Sequence, residues 1–307
     1  MKLKLKGSVS FFTPKKLGVI YAVSLIVCVA LRIYHVLTLI EPQTGFFKSS
    51  DFTVPLFYTV FAVSVIIILF GAYLSENDFN LTAKAVNSDK AVGIISIFMS
   101  LAFFLDFGYC FVMALDSEEA YSYSASESFS ALMGNGSFPR KVQMFFAFFS
   151  FLYFLIFAVM VLAKKYKGQL KIMSLSTVFW GIGRMITLFV KKISFVQVSD
   201  LFLEIAATAF MTLFFFSLCE CLSGVYREEA QWRIAGVGLP ASLCCLVIQV
   251  PRIIAGILDN IHADEPGYVL YLYSDDYILN YVEIFVGILA LILFIKAEKS
   301  KEVPAQE

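Results

Sequence analysis

The sequence predicts an all-α protein, a polytopic integral membrane bundle of eight transmembrane helices. Of its 307 residues, 59% are hydrophobic, and the mean hydropathy is +0.80. The chain contains eight apolar runs, each long enough to cross a hydrocarbon core that needs roughly 20 residues. Because a backbone inside lipid finds no water to bond to, each run is predicted to be a helix rather than a strand.

The predicted spans cover most of the chain. They occupy approximately residues 17–40, 54–74, 91–115, 143–163, 171–190, 201–224, 234–258 and 277–296. The longest connection, 116–142, is too short for a soluble domain, so residues 1–307 form a single transmembrane domain. The first run carries Arg32, is too long for the core of a signal peptide and lacks a small-residue cleavage pattern, which predicts an uncleaved first span.

Basic residues alternate from one predicted connection to the next. With the N-terminus inside, sixteen lysines and arginines fall on the inner side and five on the outer side. Membrane proteins concentrate these residues in short cytoplasmic loops. The pattern therefore predicts eight spans with both the N- and C-termini cytoplasmic. The remaining three of the 24 basic residues are Arg32, Arg184 and Arg252, which lie inside spans.

The odd-numbered spans resemble one another near their predicted outer ends. "LRIYHVLTLI", "GRMITLFVKK" and "PRIIAGILDN" each place an arginine before Ile or Met, and span three has Asp106 at the equivalent point. A Ser-Asp pair, suited to capping a helix start, precedes three even-numbered spans, at 50–51, 199–200 and 274–275. These matches predict four hairpin repeats of two helices, related by an axis near the membrane normal.

Charged residues inside the spans lie at similar predicted depths in the outer half of the membrane. A charge facing lipid costs about 2.5 to 3.5 kcal/mol at the helix centre on insertion scales, so these residues are expected to face one another or a polar cavity. Arg184 continues a helical stripe of small residues, Ser174, Thr177 and Gly181, which places it on a packing face. The predicted site comprises Arg32, His35, Asp106, Arg184, Glu204, Arg252 and Glu283.

Three roles remain open for this polar layer. The first is structural, with arginines and carboxylates forming buried ion pairs that fix helix register. The second is functional: arginine donors face an outward pocket for a carboxylate or phosphate, so that the protein binds or transports a small anionic solute or lipid headgroup. In the third, arginines snorkel toward the outer interface.

Two other functional classes are retained as alternatives. One is a non-transporting sensory or accessory subunit that meets a membrane partner protein through acidic outer loops at 116–142 and 259–276. The other is an enzyme acting on lipid phosphates, with Asp106 and His35 as its catalytic pair. The chain lacks P-loop, GxSxG, HExxH and dinucleotide motifs, which disfavours an enzyme. No cofactor, metal or nucleic acid is expected, since six cysteines lie within spans and net charge is +0.

The stretch "LRIYHVLTLIEPQTGFF", residues 31–47, resembles the first span and loop of uncharacterised bacterial multi-pass membrane proteins. The resemblance covers these 17 residues and implies a bacterial plasma membrane as the location. It implies no activity and assigns no site.

Overall fold

The computed structural model describes residues 12–40, 47–48, 51–79, 86, 89–119, 137–165, 170–190, 198–223, 227–261 and 280–299. Within these ranges the chain forms eight long helices and no strand, apart from one isolated bridge between Ile40 and Phe47. The helices are α1 (Pro14–Tyr34), α2 (Thr53–Leu74), α3 (Lys90–Glu119), α4 (Ser137–Leu162), α5 (Lys171–Val190), α6 (Val198–Ser223), α7 (Arg227–Ile261) and α8 (Tyr281–Lys299).

Seven of the helices in the described part of the chain, α1 to α7, are long and apolar enough to cross a membrane. The eighth, α8, has 19 residues and packs against α3 and α7. Large apolar side chains such as Ile26, Ile66 and Phe189 are more than half exposed, as lipid-facing residues are. The predicted all-helical, multi-pass membrane fold is therefore supported, with seven to eight crossings.

Helix boundaries differ from the predicted spans where polar residues extend or end a helix. The predicted span 143–163 starts six residues after α4 does, because Pro139 is tolerated in the first turn. The predicted span 277–296 begins before α8, whose first turn is capped by Asn280 through a 3.1 Å bond from the Val282 amide. Residues 199–200 lie inside the first turn of α6 rather than before it. Hydropathy locates the apolar segment of a helix, but it does not detect polar turns at the helix ends, so the predicted boundaries differ there.

The first helix begins with a conventional cap and ends in an unusual turn. Thr13 accepts a hydrogen bond from the Lys16 amide at 3.4 Å, and Pro14 occupies the first turn. At its other end, α1 continues into a π-helical turn, His35–Leu39. Such turns are rare and occur frequently at functional sites.

Helix α7 lies at the centre of one half of the bundle. It contacts α1, α2, α6 and α8, and 61% of its most apolar stretch is buried. The Ser242 hydroxyl donates a hydrogen bond to the Gly287 carbonyl at 2.9 Å. Because this uses its only proton, the Ser242 oxygen accepts a hydrogen bond from the Tyr21 hydroxyl at 2.8 Å. This short chain of hydrogen bonds joins α1, α7 and α8 inside the apolar core.

Aromatic side chains fill the other half, where α3, α4, α5 and α6 meet. The Phe103 ring stacks on Phe154 at 5.6 Å and meets Trp180 edge to face at 5.0 Å. Phe215 of α6 lies 6.2 Å from Phe103, centroid to centroid. These geometries match the preferred arrangements of aromatic pairs, so four helices share one aromatic core.

Polar contacts at one end of the bundle join the starts of some helices to the ends of others. Asp89, before α3, forms an ion pair with Lys296 near the end of α8. Lys171 Nζ donates to the Ser223 carbonyl at 2.8 Å, which joins the start of α5 to the end of α6. A third contact joins Arg233 to Glu220 at 3.2 Å. Five of these six residues are charged, and all six lie near the predicted cytoplasmic ends of their helices. The side of the membrane, and with it the location of the termini, stays a prediction.

Successive helices pack against each other in the described bundle, both within the four predicted hairpins and between them, except that α2 packs against α1 and α7 rather than against α3. Contact alone does not separate a repeated hairpin from an ordinary up-and-down bundle. The four-hairpin repeat therefore also stays a prediction.

Two glycines of α5 allow neighbouring helices to approach closely. A side chain at Gly181 would collide with the Thr212 hydroxyl of α6, and a Cβ at Gly183 would lie 3.2 Å from the Gln143 Cα atom of α4. The second contact is with backbone, which cannot move aside as a flexible side chain can. Both glycines are thus required by packing beside Arg184.

We predict that Gly183→Ala destabilises the bundle, because the added methyl group overpacks the α4–α5 contact at a cost of about 1 to 3 kcal/mol. Gly108→Ala in α3 is the matched control, since a Cβ there meets no atom within 4 Å. The control is expected to leave the midpoint of thermal unfolding unchanged or raise it through better helix propensity. Equal midpoints for the two variants in detergent micelles would contradict the prediction.

The stability of the bundle is predicted to depend on pH through Asp89. Its carboxylate accepts a hydrogen bond from the Ala91 amide at 2.7 Å and pairs with Lys296. Burial opposes its ionisation, but the hydrogen bond and charge of Lys296 outweigh burial and lower the Asp89 pKa. Because this folded-state pKa is below the unfolded one, its contribution to stability is present above about pH 4 and is lost as pH falls further.

Asp89→Asn keeps a residue that caps helices well but removes the charge. The variant is expected to show a smaller fall in thermal midpoint than the wild type when the pH is lowered from about 6 to about 3. Glu76→Gln, at an exposed residue outside the α3–α8 contact, serves as the control. A parallel pH dependence in the wild type and Asp89→Asn would refute this role of the ion pair.

Candidate functional site

A buried carboxylate, that of Glu283, collects donors from three helices. It lies in the first turn of α8 with 0% of its side chain exposed. Its Oε1 atom accepts from Arg184 Nη2 at 3.0 Å and from Asn280 Nδ2 at 2.8 Å. Its Oε2 atom accepts from Gln249 Nε2 at 2.6 Å. Both oxygens face donors only, which is the arrangement of an ionised carboxylate.

A second ion pair joins the neighbouring helices. Arg252 Nη2 of α7 lies 2.8 Å from Glu204 Oε1 of α6, and at most a tenth of either side chain is exposed. Arg252 follows Gln249 by three residues and shares its helix face. The two pairs are close enough for Glu204 and Arg252 to interact electrostatically with Glu283.

We call Arg184, Glu204, Gln249, Arg252 and Glu283 the ion-pair cluster. Its two guanidinium groups and two carboxylates sum to zero charge. Four of the seven residues predicted from the sequence thus come together, with the addition of Gln249. Two of the three intramembrane arginines meet carboxylates of this protein, as the structural interpretation of the polar layer requires.

Asp106 reaches the cluster indirectly. It accepts from Trp180 Nε1 at 2.7 Å and from Gln143 Nε2 at 3.3 Å. Trp180 precedes Arg184 by one turn of α5, and the Arg184 guanidinium lies 6.0 Å from the Trp180 ring centroid. A cation over an indole face is attracted by the ring electrons. The indole of Trp180 therefore connects the carboxylate of Asp106 to the guanidinium of Arg184.

Arg32 and His35 lie elsewhere, where the end of α1 meets the start of α2. The His35 ring meets Phe57 edge to face at 5.6 Å, and the Arg32 guanidinium lies 6.0 Å from the same Phe57 ring. His35 Nε2 is 3.1 Å from Thr53 Oγ1. The partners of His35 thus differ from those of Asp106, so the geometry gives no catalytic pair of the kind that a lipid-phosphate enzyme would need.

Several buried polar atoms have no hydrogen-bond partner in the described structure. At the cluster they are Arg184 Nε and Gln249 Oε1, with Thr208 Oγ1 one turn along α6 from Glu204. The Gln249 amide cannot be turned round, because its nitrogen must face the carboxylate of Glu283. A buried polar group left unsatisfied costs about 1 to 3 kcal/mol. Three such atoms in one region indicate a place for water or a ligand.

Sequence reasoning missed three residues of this arrangement. Trp180 carried a usable signal, since a buried indole N–H needs an acceptor and this one is four residues from Arg184. Gln143 lies in a predicted span start, and Thr208 lies in an apolar run; neither has a pattern that marks it. Gln249 and Asn280 lie about one helical turn before the predicted site residues Arg252 and Glu283, respectively, and this spacing is their only signal in the sequence.

The described residues contain no group of three or more His, Cys, Asp or Glu side chains suited to a metal ion. All six cysteines are buried and none is in a disulfide. The greater part of the two acidic outer connections, 116–142 and 259–276, which were predicted to meet a partner protein, lies outside the described residues.

The chain matches no protein-family model, no curated protein and no solved structure. The resemblance to bacterial multi-pass membrane proteins, and the plasma-membrane location it implies, therefore stay expectations.

We predict that the Arg252–Glu204 pair is strongly coupled. Glu204→Gln leaves a buried guanidinium uncompensated and is expected to cost about 3 to 5 kcal/mol of stability. Glu220→Gln is the matched control, because its partner Arg233 is 35% exposed and such pairs contribute about 0 to 1 kcal/mol.

The measurement is thermal unfolding of Glu204→Gln, Arg252→Met and the double variant, combined in a double-mutant cycle. The double variant is expected to lose less free energy of unfolding than the sum of the losses in the two single variants. Strict additivity would show that the two side chains do not stabilise each other.

Proposed function

We propose that this membrane protein binds a small polar solute at the ion-pair cluster, in the interior of the helical bundle. The observation that carries the proposal is a pair of buried atoms near Glu283, Arg184 Nε and Gln249 Oε1, neither of which has a hydrogen-bond partner among the described residues. One is an obligate donor and the other an obligate acceptor. A solute that satisfies both presents an acceptor and a donor.

The charge of the cluster narrows the class of solute. Both of its arginines already pair with carboxylates, so the cluster offers no net positive charge to a simple anion. Moving an anion from water into such a site is costly unless charge compensates it. A zwitterion of the amino-acid type fits better: its carboxylate accepts from Arg184 Nε–H and its ammonium group donates to Gln249 Oε1. The anionic solute expected from the sequence is thereby refined to a carboxylate that carries its own positive charge.

The position of the cluster favours transport as the wider role. Arg184 of the α5–α6 hairpin pairs with Glu283 of α8, and Arg252 of the α7–α8 hairpin pairs with Glu204 of α6. The two ion pairs therefore cross the boundary between two predicted repeats. Transporters built from repeats bind their solutes at such boundaries.

A non-transporting accessory subunit is the second candidate. The same two ion pairs favour it, since they can serve to fix helix register without any ligand. A lipid-phosphate enzyme is not proposed, because Asp106 and His35 have separate partners.

Thermal-shift measurements on the purified protein in detergent test the proposal. Three probes are compared: glycine as the zwitterion, acetate as the anion and acetamide as the neutral solute. Glycine or a larger α-amino acid is expected to raise the unfolding midpoint, with about 2.7 kcal/mol of stabilisation at a hundredfold excess over Kd.

The decisive variant is Arg184→Lys, which keeps a positive charge near Glu283 but removes the Nε–H donor. It is expected to abolish the shift, whereas Arg233→Lys at the opposite end of the bundle retains it. A larger shift with acetate than with any zwitterion would restore the simple-anion alternative. No shift with any of the three classes would leave the accessory-subunit role.

A further inference from the structure

The junction of α1 and α2 contains a buried histidine that the proposed solute site does not use. His35 begins the π-helical turn and is 0% exposed. Its ring is enclosed by Phe47 and Phe57, each with its ring centroid 5.6 Å away. Phe47 in turn packs against the buried apolar residues Val36, Ile40 and Ala255. We call His35, Thr53 and Asp51 the histidine corner.

The hydrogen bonds of the histidine corner fix the tautomer of the ring. The Thr53 hydroxyl donates to Asp51 Oδ1 at 2.7 Å, which uses its only proton. Its oxygen therefore accepts from His35, so the proton of the neutral imidazole is on Nε2. The Nδ1 atom is left with an unprotonated lone pair, and it has no hydrogen-bond partner among the described residues.

The same bonds lead from the buried ring toward the start of α2. Asp51 is only partly buried, and its carboxylate also accepts from the Thr53 amide at 2.7 Å. Hydrogen bonds from the Thr53 hydroxyl and amide lower the pKa of Asp51. The corner thus forms a directed chain, from the imidazole N–H through a hydroxyl to an ionised carboxylate at the end of a span.

Other charged groups face this corner from each element around it. Arg32 lies one turn earlier on α1, and Lys48 follows Phe47 with an exposed side chain. On α7, Arg252 is one turn from Ala255 and is held by Glu204. A second positive charge on His35 would be repelled by buried Arg32, so the imidazolium form is suited to passing a proton on rather than storing it.

We propose that the histidine corner is a proton relay between the interior of the bundle and the water beside Asp51. A donor in the interior, water or an ammonium group, gives a proton to Nδ1. The Nε2 proton then moves to Thr53 Oγ1 as the Thr53 proton moves to Asp51, which releases it to water. One proton enters and one leaves, and His35 ends in its other neutral tautomer. The reverse sequence carries a proton inward.

The relay is tested by nuclear magnetic resonance of the full-length protein labelled with ¹⁵N in histidine. The chain has two histidines, His35 and His262, so His262→Gln leaves a single imidazole. Near neutral pH the spectrum is expected to show Nε2 protonated and Nδ1 bare. A ring with its proton on Nδ1 would overturn the proposal.

The relay role is separated from a merely structural one by Asp51→Asn. The asparagine oxygen still accepts from the Thr53 hydroxyl and amide but cannot take up a proton at ordinary pH. The tautomer is expected to persist while exchange of the Nε2 proton with water slows about a hundredfold, the typical contribution of a positioned proton acceptor. An unchanged exchange rate in Asp51→Asn would overturn the relay.

Thr53→Val breaks the chain at its centre and is expected to abolish both the tautomer preference and fast exchange. Thr59→Val is the control on the same helix, since its hydroxyl bonds only to the Pro55 carbonyl at 2.8 Å. The control is expected to match the wild type. If Thr53→Val does not fold, Asp51→Asn decides alone, because it preserves the hydrogen bonds of the corner.

Discussion

A carboxylate that is buried away from solvent needs hydrogen-bond donors from the protein itself. The Glu283 carboxylate is fully buried and accepts from donors on three helices. Arg184, Gln249 and Asn280 donate to it from α5, α7 and the start of α8. The other features of this region follow from satisfying that carboxylate. On α5, Gly181 and Gly183 let α6 and α4 pack closely beside Arg184. Gln249 is fixed in one orientation, and that orientation leaves its carbonyl oxygen without a protein donor.

One ion pair joins α5 to α8 and the other joins α6 to α7. The charges of these residues are balanced, but their hydrogen bonding is not complete. Charge is fully compensated, since each guanidinium has a carboxylate. Hydrogen bonding is incomplete, since one donor and one acceptor remain. A site that is neutral but unsatisfied discriminates by geometry more than by net charge. A solute of the class proposed above, with two complementary polar ends, would satisfy both atoms, whereas an apolar lipid chain would satisfy neither.

Sequence periodicity predicted which face of each helix would be buried, but it did not identify the partners. Ser174, Thr177 and Gly181 are buried and Arg184 is partly buried, because a helix repeats every 3.6 residues and places them on one face. The charge of Arg184 meets Glu283, 99 residues away, because of the order in which helices pack, which no local pattern encodes. Arg32 illustrates the same limit: it matched Arg184 and Arg252 in sequence, yet it lies beside a phenylalanine ring at the other junction.

The two ion pairs also constrain how the protein is made. A chain emerges from its N-terminus, so α5 and α6 enter the membrane before α7 and α8 exist. At that stage the final partners of Arg184 and Glu204, which lie on α8 and α7, are still unmade. The charges of Arg184 and Glu204 gain these partners only when the second half of the bundle is in place. Completing the bundle therefore commits α5 and α6 to α7 and α8.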